Sequence, residues 1–240
     1  MTNPAVTRSE TLLPRQELHR AIQVAGVVDQ RDADLISGAG VEFIGFPLRL
    51  RDGREDLDES AARRIIRSLP PTTAAVAITY VHEAVDALDL CNSIGARWVQ
   101  LHGDIPLDEL ARLRSLAPWI RIIKSLIVRG DAASGLRNEM TRCTPYVDAF
   151  ITDTYDPRTG RTGATGLTHD WRVSRSIVAA SSLPVILAGG LDPDNVRAAI
   201  REVRPAAVDV HTGIEGSDGR KDPERLRAFV DAAREAFANA

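Results

Sequence analysis

Two cysteines are all the thiols in this 240-residue chain, and Cys91 and Cys143 stand too far apart for a C-x-x-C pair. That excludes a cysteine-built metal or redox motif, and each falls in a predicted helix as a reduced intracellular thiol. The five histidines are scattered, with no HxH or HExxH pair to seed a zinc centre. Neither a metal nor a cofactor is therefore expected. No apolar run approaches the length that spans a bilayer. An excess of positive charge is missing too: the formal net charge is −3, which speaks against a nucleic-acid or membrane-surface partner. Lysine is nearly absent, Lys124 and Lys221 being the only two, a bias as readily genomic as functional. The first eighteen residues lack the apolar segment of a secretory signal, so residues 1–18 read as a loose arm and the cytoplasm as the expected location.

What is present is globular. Hydrophobic residues make up 44% and charged residues 26% of a chain long enough to bury a substantial core. Short apolar runs at 21–27, 41–46, 74–79, 97–101, 120–126, 147–152, 184–188 and 207–210 read as strands. Between them lie helical segments at 29–39, 58–68, 83–94, 107–116, 132–142 and 171–180, one opened by Asp192 or Pro193, and a last one at 223–237. Eight strands alternating with eight helices predict a single-domain (β/α)8 TIM barrel over residues 19–240. An open doubly wound sheet is the alternative. It would more naturally carry a dinucleotide fingerprint after its first strand, where this chain has Ala25-Gly26-Val27-Val28-Asp29.

In a closed barrel the chemistry sits at the C-terminal strand ends, and a phosphate commonly sits after strands seven and eight. Gly189-Gly190 and Thr212-Gly213 follow those strands, so two glycine loops offer backbone N–H groups to one phosphate, helped by Gly166 in the sixth loop. Ordinary turns would use the same glycines. Other strand ends carry His102, Lys124, Asp153, Asp209, His211 and the Arg49/Arg51/Arg54 loop. Asp153 at the end of an apolar strand suits a general acid, or else caps the loop that follows it. His211, two residues past Asp209, falls on the same side of the eighth strand, next to the first strand and Ala25. It reads as a base, a phosphate donor or a hydrogen-bonded structural residue.

Taken together, VQLHG at 99–103, IK at 123–124, TDT at 152–154, GATGLTHDW at 163–171, LAGGLDPDNV at 187–196 and VDVHTGIEGSDGRKD at 208–222 form one pattern. It resembles the phosphoribosylanthranilate isomerase family of tryptophan biosynthesis, over about residues 22 to 229. The resemblance implies a phosphorylated small-molecule substrate, no cofactor, and an Amadori rearrangement. In it an aspartate matching Asp153 protonates the ring oxygen, and a cysteine on the first strand takes the C2 proton. His102, Lys124, Arg49 and Arg54 become candidate substrate contacts, with Asp153, His211 and Asp209 as the catalytic set. The chain departs from the family at three places. The family's Lys-Ile-Cys-Gly reads Gln23-Val24-Ala25-Gly26, the second loop reads FPLRLRDGRED instead of a Ser-Pro-Arg-like segment, and His211 stands where serine is usual. A base moved across the seam from the first strand to His211 joins two of these. A lyase or epimerase on another phosphorylated compound, and a non-catalytic binder of such a ligand, are the alternatives, and monomer and homodimer both stay open.

Overall fold

A computed structural model describes residues 18–51, 53, 55–102, 104–128, 133–154 and 168–239. Eight parallel strands close on themselves in chain order: β1 (Ala21–Ala25), β2 (Phe43–Pro47), β3 (Ala74–Thr79), β4 (Trp98–Leu101), β5 (Arg121–Val128), β6 (Ala149–Thr154), β7 (Val185–Leu187) and β8 (Ala207–Val210). Helices α1 (Gln30–Gly38), α2 (Glu59–Ser68), α3 (Ala84–Ile94), α4 (Leu107–Leu116), α5 (Ala133–Cys143), α6 (Trp171–Ala180), α7 (Val196–Val203) and α8 (Pro223–Ala238) follow their strands in turn. The fold is the expected (β/α)8 barrel. Among the described residues no helix is long and apolar enough to cross a membrane.

Period-two alternation along each strand sorts the side chains into two cores. Ile22, Ile44, Val99, Ile122, Phe150 and Val208 point out and pack under the helices. Ala21, Phe43, Val76, Trp98, Ile123, Ala149, Ile151 and Ile186 point in, and Leu18 is buried with them. At the N-terminal end of this interior Phe43 meets Trp98 edge to face, ring centroids 5.2 Å apart. Trp98 is thus interior core, whereas Trp119 is exposed. Cys91 and Cys143 are buried free thiols in α3 and α5.

Two boundaries differ from the sequence reading for local reasons. Strand β6 runs on to Thr154 because the longer β5 offers partners, Ile127 to Asp153 and Val128 to Thr154. Helix α7 starts later than Asp192. The Asp192 carboxylate accepts the N–H groups of Asp194 and Asn195 in a side-chain turn, and Asn195 Nδ2 donates to Gly190 O. That turn fastens the loop after β7 to the head of α7.

With apolar side chains closing the lower half, only the upper half of the interior is open to chemistry. Phe43→Ala is expected to cost about 3–5 kcal/mol of folding stability. The urea midpoint measures it, and a loss well under ~1 kcal/mol would show that Trp98 does not depend on this contact.

Candidate active site

Above that apolar floor the inward positions turn polar. Gln23 of β1, Gln100 of β4, Asp153 of β6 and Asp209 of β8 are all buried, with His102 just past the end of β4. They form one connected set. Gln23 Nε2 donates to Gln100 Oε1 at 2.7 Å and to Asp209 Oδ1 at 2.9 Å. Gln100 Nε2 lies 2.6 Å from His102 Nε2, and His102 Nδ1 faces Asp153 Oδ2 at 3.5 Å. The other Asp153 oxygen accepts the N–H of Thr154. Asp153 therefore does both things its position allows, one oxygen capping the chain and one facing into the barrel.

Burial governs the charges here. Loss of solvent pushes the Asp153 carboxyl up to about 7, partly offset by the Thr154 N–H and reinforced by the Asp209 charge. Asp209 is likewise raised to about 7 by burial, against the pull of the Gln23 hydrogen bond and of Lys221. The His102 imidazole is driven down to about 4 by burial, with the Lys124 charge adding to it, so it is neutral at physiological pH. One half-protonated carboxyl beside a neutral imidazole is an arrangement suited to donating a proton.

The loops beyond β7 and β8 meet. A Cβ on Gly213 would lie 1.9 Å from the Leu191 carbonyl oxygen, so only glycine lets the two loops touch. Thr212–Ile214 form a 3-10 turn, and Gly189 and Gly190 have φ of 101° and 63°. Behind the turn Lys221, buried, donates to Glu215 Oε1 at 2.7 Å and to His211 O at 3.4 Å. His211 Nε2 reaches the same Glu215 oxygen at 3.3 Å. Its ring lies over Gly26, within 2.0 Å of where a Cβ there would stand. His211 thus comes to the end of β1, across the β1–β8 seam.

Two candidate contacts are held elsewhere. Lys124 shares the outward parity of Ile122 and Leu126, and its Nζ bonds Ser125 O at 2.7 Å and Glu139 of α5 at 3.2 Å. It is a mid-strand residue of the β5–α5 layer, not a strand-end group. Arg49 is clamped by Glu59 of α2 at 2.8 Å and Asp89 of α3 at 2.7 Å, which hold its guanidinium firmly protonated. Both side chains answer to glutamate or aspartate on the outer helices, which is why they leave the mouth. Arg51 does what Arg49 does not, lying 5.4 Å over the Tyr80 ring, which in turn lies 5.4 Å from His102. Arg54 and Gly166 lie outside the described residues. Sequence reasoning missed Gln23, Gln100, Glu215 and Lys221. Inward parity on strands otherwise lined by Ala, Val and Ile was the available signal for the two glutamines. Among the described residues no group of three His, Cys, Asp or Glu is placed to hold a metal ion.

A fold and a site of this kind can be set against known proteins. The family model for N-(5'-phosphoribosyl)anthranilate isomerase matches residues 22–232. The chain belongs to the N-(5'-phosphoribosyl)anthranilate isomerase family. N-(5'-phosphoribosyl)anthranilate isomerase 2 of Methanosarcina mazei is 39% identical over 217 residues, 90% of this chain and 95% of that one. The solved phosphoribosyl anthranilate isomerase of Thermotoga maritima superposes with a TM-score of 0.74 at 29% identity, covering 90% of this chain and 98% of its own. A further structure of the family enzyme, in complex with reduced 1-(o-carboxyphenylamino)-1-deoxyribulose 5-phosphate, gives a TM-score of 0.72 at 27% identity over 90% of this chain and 98% of its own. The protein is accordingly an isomerase-family barrel, and Ala25 stands on β1 where the family pattern has its cysteine.

The raised carboxyls leave a mark on stability. A folded value above the ordinary 3.8 gives stability that is present at low pH and lost as pH rises through about 7. His102 runs oppositely: lowered to about 4, it contributes fully above 6.5 and loses as pH falls. Asp209→Asn keeps the shape and removes one titration. Its melting temperature is expected to gain on the native chain as pH goes from about 5 to about 8. A difference that stays flat would place Asp209 at an ordinary carboxylate value.

Proposed function

We propose that the protein isomerises N-(5'-phosphoribosyl)anthranilate, with Asp153 as general acid and His211 as the base in place of the absent cysteine. The observation that carries this reading is Asp153: an inward carboxyl at the end of β6, raised to about 7, whose Oδ2 faces His102 Nδ1 at 3.5 Å while its other oxygen takes the Thr154 N–H. At neutral pH such a group is protonated about half the time, which is what ring opening needs. Protonation of the ring oxygen by Asp153 breaks the bond from that oxygen to the anomeric carbon, leaving an iminium. Removal of the C2 proton then gives the enolamine, which becomes the keto form.

His211 suits the second step better than Asp209. Asp209 pairs in register with Gln23, deeper than Ala25, and one of its oxygens already accepts an N–H from Gln23. His211 is farther out, partly exposed, and its Nε2 is held by Glu215, which orients the ring and favours the imidazolium formed on proton uptake. The relative bound to reduced 1-(o-carboxyphenylamino)-1-deoxyribulose 5-phosphate shows what a ligand of this family carries: a phosphate, a sugar-derived chain and a benzoate. Each part has a counterpart here. The paired loops of Gly189, Gly190, Thr212 and Gly213 suit the phosphate. Arg51, stacked on Tyr80, is a cation for the carboxylate, and its aromatic neighbour suits the ring.

Turnover of N-(5'-phosphoribosyl)anthranilate by the purified protein tests the reading directly. Asp153→Asn and His211→Ala are each expected to lower kcat on the order of 10²–10⁴-fold with KM little changed. No turnover by the native chain would overturn the function, and full turnover by His211→Ala would overturn the assignment of the base. Arg51→Ala is expected to raise KM about tenfold or more, at similar kcat, while Arg49→Ala lowers thermal stability and spares KM.

A further inference from the structure

With Asp209 ionised, the chain of amides beneath Asp153 has one direction. Gln23 uses both hydrogens of its side-chain amide, one toward Asp209 Oδ1 and one toward Gln100 Oε1. An ionised Asp209 can only accept, so it requires the NH2 of Gln23 and not its oxygen. Gln100 has then committed its oxygen to Gln23, and what remains for His102 Nε2, 2.6 Å away, is the Gln100 NH2. His102 must accept there. In a neutral imidazole the proton is then on Nδ1, the nitrogen that faces Asp153 Oδ2 at 3.5 Å.

That placement decides where the proton of Asp153 can go. With Nδ1 already carrying hydrogen, the imidazole offers no lone pair to Asp153, and 3.5 Å is long for a hydrogen bond in the other sense. His102 Nδ1 has no hydrogen-bond partner in the described structure. The opposite tautomer would present a lone pair and draw the Asp153 proton into the protein. We propose that Gln23 and Gln100 are positioning residues: anchored on Asp209, they hold His102 as its Nδ1–H tautomer and thereby aim the Asp153 proton at the ligand. This rests on the reading of Asp153 as the acid. Burial is consistent with it, because Gln23, Gln100 and His102 are shielded from water that would otherwise satisfy either tautomer. Gln23 Oε1 is left buried without a partner, whereas turning the amide over would set that oxygen against the Gln100 and Asp209 oxygens.

Long-range 15N–1H NMR reads the tautomer of His102, assigned by its loss in His102→Gln. To remove the pull of a charged Asp153, the measurement is made in Asp153→Asn at a pH of about 8, where Asp209 is ionised. His102 is expected as Nδ1–H there, and as Nε2–H or a mixture once Gln100→Leu is added. Nε2–H in Asp153→Asn, or Nδ1–H retained in the double variant, would overturn the proposal. If Gln100→Leu does not fold, Gln23→Leu, which cuts the anchor from Asp209, is expected to release the tautomer in the same way, and its retention counts equally against the idea. In the otherwise native chain Gln100→Leu is expected to lower kcat about 10–100-fold with KM within about twofold. The NMR result stands whether or not the native protein turns over N-(5'-phosphoribosyl)anthranilate, so failure of the positioning role and failure of the isomerase reading are told apart.

Discussion

A carboxylate taken out of water must find a cation, a set of donors or a proton, and the upper interior of this barrel offers little of the first. The chain's two lysines are both buried and both held by glutamates, Lys124 by Glu139 and Lys221 by Glu215. Asp153 is left with one backbone N–H and the repulsion of Asp209, and Asp209 with one amide N–H and the distant pull of Lys221. Burial wins, and each keeps a proton to about 7. A carboxyl that holds its proton close to neutral pH thus comes from what the interior withholds.

The departures on β1 belong to this same balance. Where the family pattern has lysine and cysteine, the strand has Gln23 and Ala25, both inward by parity. A lysine next to Asp209 would hold it ionised as a salt bridge. A neutral amide gives it one hydrogen bond and extends the network instead to Gln100 and His102. Removing the thiol leaves space beside Gly26, and the His211 ring lies over that glycine. The two departures on β1 thus face Asp209 of β8 and His211 just past its end.

Much of this was legible in the chain before folding. Alternation of short apolar runs with helical segments gave all eight units, and glycines after the last two strands marked loops that do come together at Gly213 and Leu191. What could not be read was which way a polar residue points when both directions are buried. Lys124 sits in a strand buried on both faces, so nothing in Ile122-Ile123-Lys124-Ser125-Leu126 distinguishes mouth from helix layer; Glu139 on α5 decides it. Arg49 and Arg51 are two residues apart in an irregular loop, where period two fails. Arg49 has φ of 52° and turns toward α2 and α3, whereas Arg51 lies over Tyr80. The glutamines went unremarked because an amide carries no titration and no motif; their meaning is a matter of partners, which only topology supplies.

Glu215 makes the β8 loop and the His211 ring one mechanical unit. A single oxygen of Glu215 serves both His211 Nε2 and Lys221 Nζ, and Lys221 also donates to the His211 carbonyl, so the 3-10 turn of Thr212–Ile214 is braced from behind. The brace puts the buried Lys221 charge behind that turn, and a buried charge is screened far less than a surface one. Because one carboxylate oxygen serves both groups, the position of the imidazole and the shape of the turn are set together.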